Sequence, residues 1–200
     1  MRHLGDRKKV KRFGIKGATM PKKKKQNIIY RNPRRELFKK RTLFIYQEIE
    51  EEIAERIVQQ LLYLDSVNHK AITIYINSPG GYCTDGLAIV DAIINTKSKV
   101  ITIIQGEACS MAGLISIVAD ERAITKNSVW MAHDVYGGGH DYGEKIYARV
   151  DNMKKDEKRM NKIFIEHTEL TKKDLLKAKH EELWLFPEEC LKKGVVDRII

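Results

Sequence analysis

Acyl transfer needs a nucleophile, a base that takes its proton, a group that orients the base, and donors for the oxyanion that forms. Three stretches of the sequence offer such parts. Ser110 stands in Gly106-Glu107-Ala108-Cys109-Ser110-Met111-Ala112-Gly113, between an apolar run that reads as a buried strand and one that reads as a helix. A hydroxyl at such a tight turn can be exposed and can face the positive end of the helix. The small neighbours Ala108, Ala112 and Gly113 let a substrate backbone approach closely. His133 ends the apolar run Val129-Trp130-Met131-Ala132 and so emerges at a strand edge. Gly80 and Gly81 close Asn77-Ser78-Pro79-Gly80-Gly81, flexible backbone that can aim an N–H at a ligand. Taken singly, a serine at a strand-to-helix junction is an ordinary helix cap and Pro-Gly-Gly an ordinary turn. Their combination is what suggests covalent catalysis.

The elements that must position these residues follow from hydrophobic period. Thr42–Tyr46, Ala71–Ile76 and Val100–Ile104 read as strands, with shorter ones at Arg122–Ile124 and Val129–Ala132. Between them, Glu50–Leu64 is an amphipathic helix with Ile53, Ile57, Leu61 and Leu64 inward, followed by helices from about Thr84 to Asn95 and from Ser110 to Val118. A long charged helix is expected from about Gly143 to His167, its apolar positions Ile146, Val150, Met153, Met160, Ile163 and Phe164 forming a stripe that projects from the body. Thr171 with Asp174 resembles a capping box, Pro187 and Gly194 bracket a short helix, and Val195–Ile200 is expected as a last strand. Alternation of strands and helices with short connections specifies an α/β domain.

Charge divides the chain in two. Residues 1–41 carry 17 of the 37 Lys and Arg against Asp6 and Glu36, net +15, which leaves the remainder at −5. A basic, largely flexible arm over residues 1–36 is therefore expected ahead of a catalytic domain over 37–200, and a solvated arm is preferred to a nucleic-acid contact. No apolar run reaches the ~20 residues of a membrane span and no secretory signal is evident, so a cytoplasmic protein is expected. Cys83, Cys109 and Cys190 are odd in number and lack metal-site spacing, which predicts reduced thiols, no metal and no cofactor.

Five blocks in order carry a family resemblance over roughly residues 37–200. They are Tyr75-Ile76-Asn77-Ser78-Pro79-Gly80-Gly81, Asp85-Gly86-Leu87-Ala88-Ile89, Ala108-Cys109-Ser110-Met111, Met131-Ala132-His133, and Pro187-Glu188-Glu189 with Gly194-Val195-Val196-Asp197. The sequence resembles the proteolytic subunit of the Clp protease, ClpP. That resemblance implies a crotonase-like fold of repeated βαβ units with a handle helix over about 143–167. It also implies Ser110 as nucleophile, His133 as general base, and the backbone N–H groups of Gly81 and Met111 as the oxyanion hole.

Counting back without gaps from Pro187 places Glu182 where the family has its triad Asp, and Glu181 where it has an Arg that helps link rings. Glu can serve, because that position supplies a carboxylate that holds the imidazole tautomer. Asp134 and His180 are the other groups considered for it. The implied activity is endopeptidase cleavage of unfolded proteins or short peptides inside a homo-oligomeric chamber. Heptameric rings, stacked in pairs, and a Clp AAA+ ATPase partner come with the same resemblance. The rival expectation is a non-catalytic structural subunit of a mixed ring.

Overall fold

The computed structural model describes residues 32–138 and 140–200. Most of the basic arm expected over residues 1–36 lies outside the described residues. A helix not foreseen in the sequence comes first: α1 (Pro33–Lys39) has Pro33 in its first turn, and the Asn32 side chain accepts a hydrogen bond from the Arg34 amide at 3.0 Å. Prolines and a basic cluster read as an arm, yet an Asn cap followed by Pro is also a helix start.

The units that follow run β1 (Thr42–Ile45), α2 (Glu51–Val67), β2 (Ile72–Ser78), α3 (Cys83–Asn95), β3 (Val100–Cys109), α4 (Met111–Ile117) and β4 (Glu121–Ile124). Strands β1, β2, β3 and β4 are parallel neighbours in that order, as right-handed βαβ crossovers favour. Ile72, Ile74 and Ile76 of β2 and Val100 and Ile104 of β3 are buried, while Ile53, Ile57 and Leu61 of α2 and Ile89, Val90 and Ile93 of α3 close one face. All seven residues of α4 are buried, which is why no amphipathic period marks it.

Strand β3 is ten residues long, twice the expected run, because it serves two sets of neighbours. Its first half, through Ile104, pairs with β4, and its last three residues, Glu107–Cys109, pair with β5 (Val129–Ala132). The change of partner falls at Gly106, whose φ of 116° and whose contact with Asn77 leave no room for a side chain; a Cβ there would lie 2.3 Å from Asn77 Oδ1. The amides of Gly106 and Glu107 are bound by Ser128 Oγ at 2.8 Å and Asn77 Oδ1 at 3.1 Å, so the bend leaves neither donor unpaired.

Beyond β5 come α5 (Gly143–His167), α6 (Lys172–His180), β6 (Leu183–Leu185), α7 (Pro187–Lys192) and β7 (Arg198–Ile199). Strand β6, which the sequence did not reveal, lies antiparallel to β5. The expected last strand shrinks to two residues on β4, held by Arg122, which donates to the carbonyls of His167 and Gly194 and pairs with Asp197. The capping box of α6 is present, with Thr171 and Asp174 each accepting the other's backbone amide.

Helix α5 departs from its expected stripe. Met160 and Phe164 are buried against this chain's own body, Phe164 edge-on to Trp130 at 5.9 Å between ring centres. The large apolar residues left exposed are Ile146, Tyr147 and Val150 in the first half of the helix and Ile165 near its end. The fold is a mixed α/β one with seven helices and a mainly parallel seven-stranded sheet among the described residues, the class that the sequence resemblance implied.

Candidate active site

Ser110 follows directly on the end of β3 and precedes α4, with φ 54° and ψ −123°. A side chain other than glycine pays for such a conformation, and it persists only where the surroundings impose it. Here they do: the Ser110 amide donates to the Met131 carbonyl at 2.8 Å and its carbonyl accepts from Leu114 at 3.1 Å. The hydroxyl makes no capping hydrogen bond to α4, so it is not spent on the ordinary duty of a serine at this junction.

The Pro79-Gly80-Gly81 turn lies against this residue. Ser78 is buried, its hydroxyl donating to the Gln47 carbonyl and accepting from the Gly80 amide. Gly80 has φ 99°, and a Cβ on it would sit 2.7 Å from both the Cys109 carbonyl oxygen and Ser110 Cβ, and 3.0 Å from the Met111 nitrogen. The Gly80 carbonyl and the Tyr82 amide are both taken by Ile49, at 2.7 and 2.8 Å. Among the described residues the amides of Gly81 and Met111 donate to no protein acceptor, and both residues line the cavity in front of Ser110.

That cavity, of about 540 Å³, is also lined by His133, by Asp134 and Asp156, and by an apolar wall of Leu114, Met153, Met160 and Phe164. His133 sits one residue past β5 and is half-buried. Its Nδ1 is hydrogen-bonded to the Asp134 backbone carbonyl. A carbonyl oxygen only accepts, so Nδ1 carries the proton and Nε2 is left as the basic nitrogen. No hydrogen bond joins His133 to Ser110 or to Glu182 in this conformation.

Glu182 is exposed, immediately ahead of β6, with φ 50°. Trp130 pairs with Leu185, Met131 with Trp184 and Ala132 with Leu183, so one further step of the register sets Glu182 against His133. Its carboxylate oxygen Oε2 accepts a hydrogen bond from Trp184 Nε1 at 2.9 Å. Asp134 is engaged otherwise: its carboxylate accepts from the Val135 amide and lies 3.9 Å from Lys179, which in turn pairs with Glu157 at 2.7 Å.

The model of one protein family, Clp protease, matches residues 24–200. The chain belongs to the Clp protease family. It is a peptidase of the proteolytic-subunit kind, and the structure of this Clp protease brings Ser110, His133, Gly81 and Met111 round one cavity while Glu182 stands outside the lining.

Two other nucleophilic side chains lie near Ser110 and neither is primed. Burial, then the neighbouring Glu107 carboxylate, push the Cys109 thiol up to about 12, and burial likewise raises Cys83 on the cavity wall. A thiol so shifted stays protonated at neutral pH and is a poor nucleophile. Sequence reasoning passed over the Asp134 carbonyl, which no side-chain pattern announces. It also passed over Trp184, whose alternation with Glu182 across Leu183 was the available signal. Met153, Met160 and Phe164, expected on a stripe that projects from the body, line the cavity of their own chain.

Proposed function

We propose that the protein is a serine endopeptidase acting through an acyl-enzyme on Ser110, with His133 as general base, Glu182 as the orienting carboxylate and the Gly81 and Met111 amides receiving the oxyanion. The observation that carries this reading is the strained, uncapped Ser110 facing two amides that lack protein acceptors on the cavity that His133 shares. In the reaction Nε2 of His133 takes the Ser110 proton as Oγ attacks the peptide carbonyl, and later returns it to the leaving amine. The carbonyl oxygen, now charged, lies between the two amides. Water then repeats the sequence on the ester.

The exposed Ile146, Tyr147 and Val150 of α5 suit contact with another copy, so the working unit is a homo-oligomeric chamber, heptameric and stacked in pairs as in the family. Such a chamber admits short peptides directly and unfolded proteins when a Clp AAA+ ATPase feeds them, and the three unpaired cysteines suit a reducing compartment such as the cytoplasm. No helix among the described residues is long and apolar enough to cross a membrane.

Glu182 bonded to Trp184 rather than His133 favours a second reading, a structural subunit that scaffolds a mixed ring without cutting. Labelling with a fluorophosphonate probe separates the two. The parent should label and cleave small peptides, and Ser110→Ala should lose both, by ~10⁴ to 10⁶ in rate, with its oligomer unchanged. An unlabelled parent would leave the structural subunit as the answer.

A further inference from the structure

We propose that Trp184 is a positioning residue that holds the Glu182 carboxylate at the His133 end of the β5–β6 ribbon. The proposal rests on the triad reading given above. Paired residues of an antiparallel ladder share a face, and so do residues two apart on one strand. Trp184 is paired with Met131, and Cys109 with Met131 on its other side. Trp184, Met131 and Cys109 are therefore set on one side of the ribbon, with His133 two residues beyond Met131; the hydrogen bond from Trp184, and the influence of the Glu182 charge on the Cys109 thiol, bring the Glu182 carboxylate to that side.

Glu182 has two handicaps as an orienting group. Its side chain has one more rotor than Asp, and ordering each rotor costs entropy. Its backbone, at φ 50°, has already left the extended conformation of β6, so the strand does not aim it. The indole N–H supplies the missing restraint at 2.9 Å. It engages Oε2 alone, which leaves Oε1 for the Nδ1–H of His133. Trp184 itself is 45% exposed, so water could satisfy its N–H; burial does not force the bond. In the working enzyme His133 exchanges the Asp134 carbonyl for Oε1, a swap between acceptors on adjoining chain segments.

Trp184→Phe keeps the ring and deletes the donor. The expected result is a kcat about tenfold lower for a small peptide with KM unchanged, the loss of one hydrogen bond to a charged group. A carboxylate beside an imidazole favours imidazolium, so slackening it should also move the acid limb of kcat/KM to lower pH. Glu48, Asp134 and Asp156 face the same cavity as His133, with Lys179 and Glu157 behind Asp134 and Glu107 and Cys109 toward Glu182. All of these are common to parent and variant. In a Glu182→Gln background, Trp184→Phe should add no further loss.

Emission gives a readout independent of catalysis: the indole fluorescence at neutral pH should change in Glu182→Ala, which takes the acceptor away from the Trp184 N–H. Unchanged or increased kcat in Trp184→Phe, losses that multiply in the double variant, or identical emission traces would each overturn the proposal. Probe labelling of the parent in the same series shows whether the underlying triad reading stands.

Discussion

The two halves of the cleft are built to different standards. On the nucleophile side, Ser110, Gly81 and Met111 hang on β2, β3 and α4, whose inward residues are almost wholly buried, and each backbone turn is locked by named hydrogen bonds. On the base side, His133 and Glu182 stand just beyond the ends of β5 and β6, strands of four and three residues, and Glu182 is exposed. In the proposed reaction the first half fixes where a carbonyl must sit. The second leaves two side chains bonded away from each other, His133 to the Asp134 carbonyl and Glu182 to the Trp184 indole. Under the proposed roles, a cleft made this way carries its oxyanion site ready formed and completes its proton relay only when the edge ribbon is braced.

The sharpest way to break this contrast is at Glu182. Glu182→Gln keeps size and the indole contact but removes the charge that favours imidazolium, so kcat should fall by ~10⁴ in a peptide assay. Glu182→Asp should also be slower than the parent, because the shortened arm loses reach from a backbone set for Glu. If Glu182→Gln is harmless while Asp134→Asn is damaging, the orienting carboxylate belongs to Asp134.

A smaller loss is expected on the rigid side. Gly80→Ala would drive a Cβ into the Cys109 carbonyl and Ser110 Cβ at 2.7 Å, at a φ of 99° that alanine resists. Displacing the adjacent oxyanion donor should cost ~10² to 10³ in kcat. Thermal unfolding measured alongside should show a lower midpoint, since the strain reaches the buried sheet. Full activity in this variant would mean that the nucleophile side is as adaptable as the base side.

The smallest effect tests the α6 end of the base side by pH. Burial alone would raise the Asp174 carboxyl; hydrogen bonds from Lys193 and Thr171 outweigh it and hold it at about 2. A carboxylate lowered by folding lends stability that is complete above its unfolded pKa, about 4, and is lost as pH falls toward the folded value. Asp174→Asn should therefore lower stability by about 1–2 kcal/mol at neutral pH, measured by urea unfolding. The gap should close progressively below about pH 4. A pH-independent gap would assign the loss to helix capping alone.

The sequence was most legible where burial is deepest. The β-branched runs placed β2 and the start of β3, and the stripe placed α2, to within a few residues, and the Ser110 and Gly80-Gly81 turns follow the ends of β3 and β2. Strand β6 was missed because three residues with an exposed Trp carry no period of their own and exist as a strand only by pairing with β5. The last strand was overcalled because Val195 and Val196 are buried by packing after α7 and not by a ladder. The partners of His133 and Glu182 were illegible for a further reason, since one is a main-chain carbonyl and the other depends on how a short strand ends.

The bend at Gly106 also limits the order in which this sequence can change. A side chain there collides with Asn77, and replacing Asn77 by something smaller would clear the space. That first step strips the Glu107 amide of its acceptor, and the φ of 116° would still resist any L side chain at position 106. Neither residue can move first without loss, so in drift the two are a locked pair, released only by a change that also unbends β3.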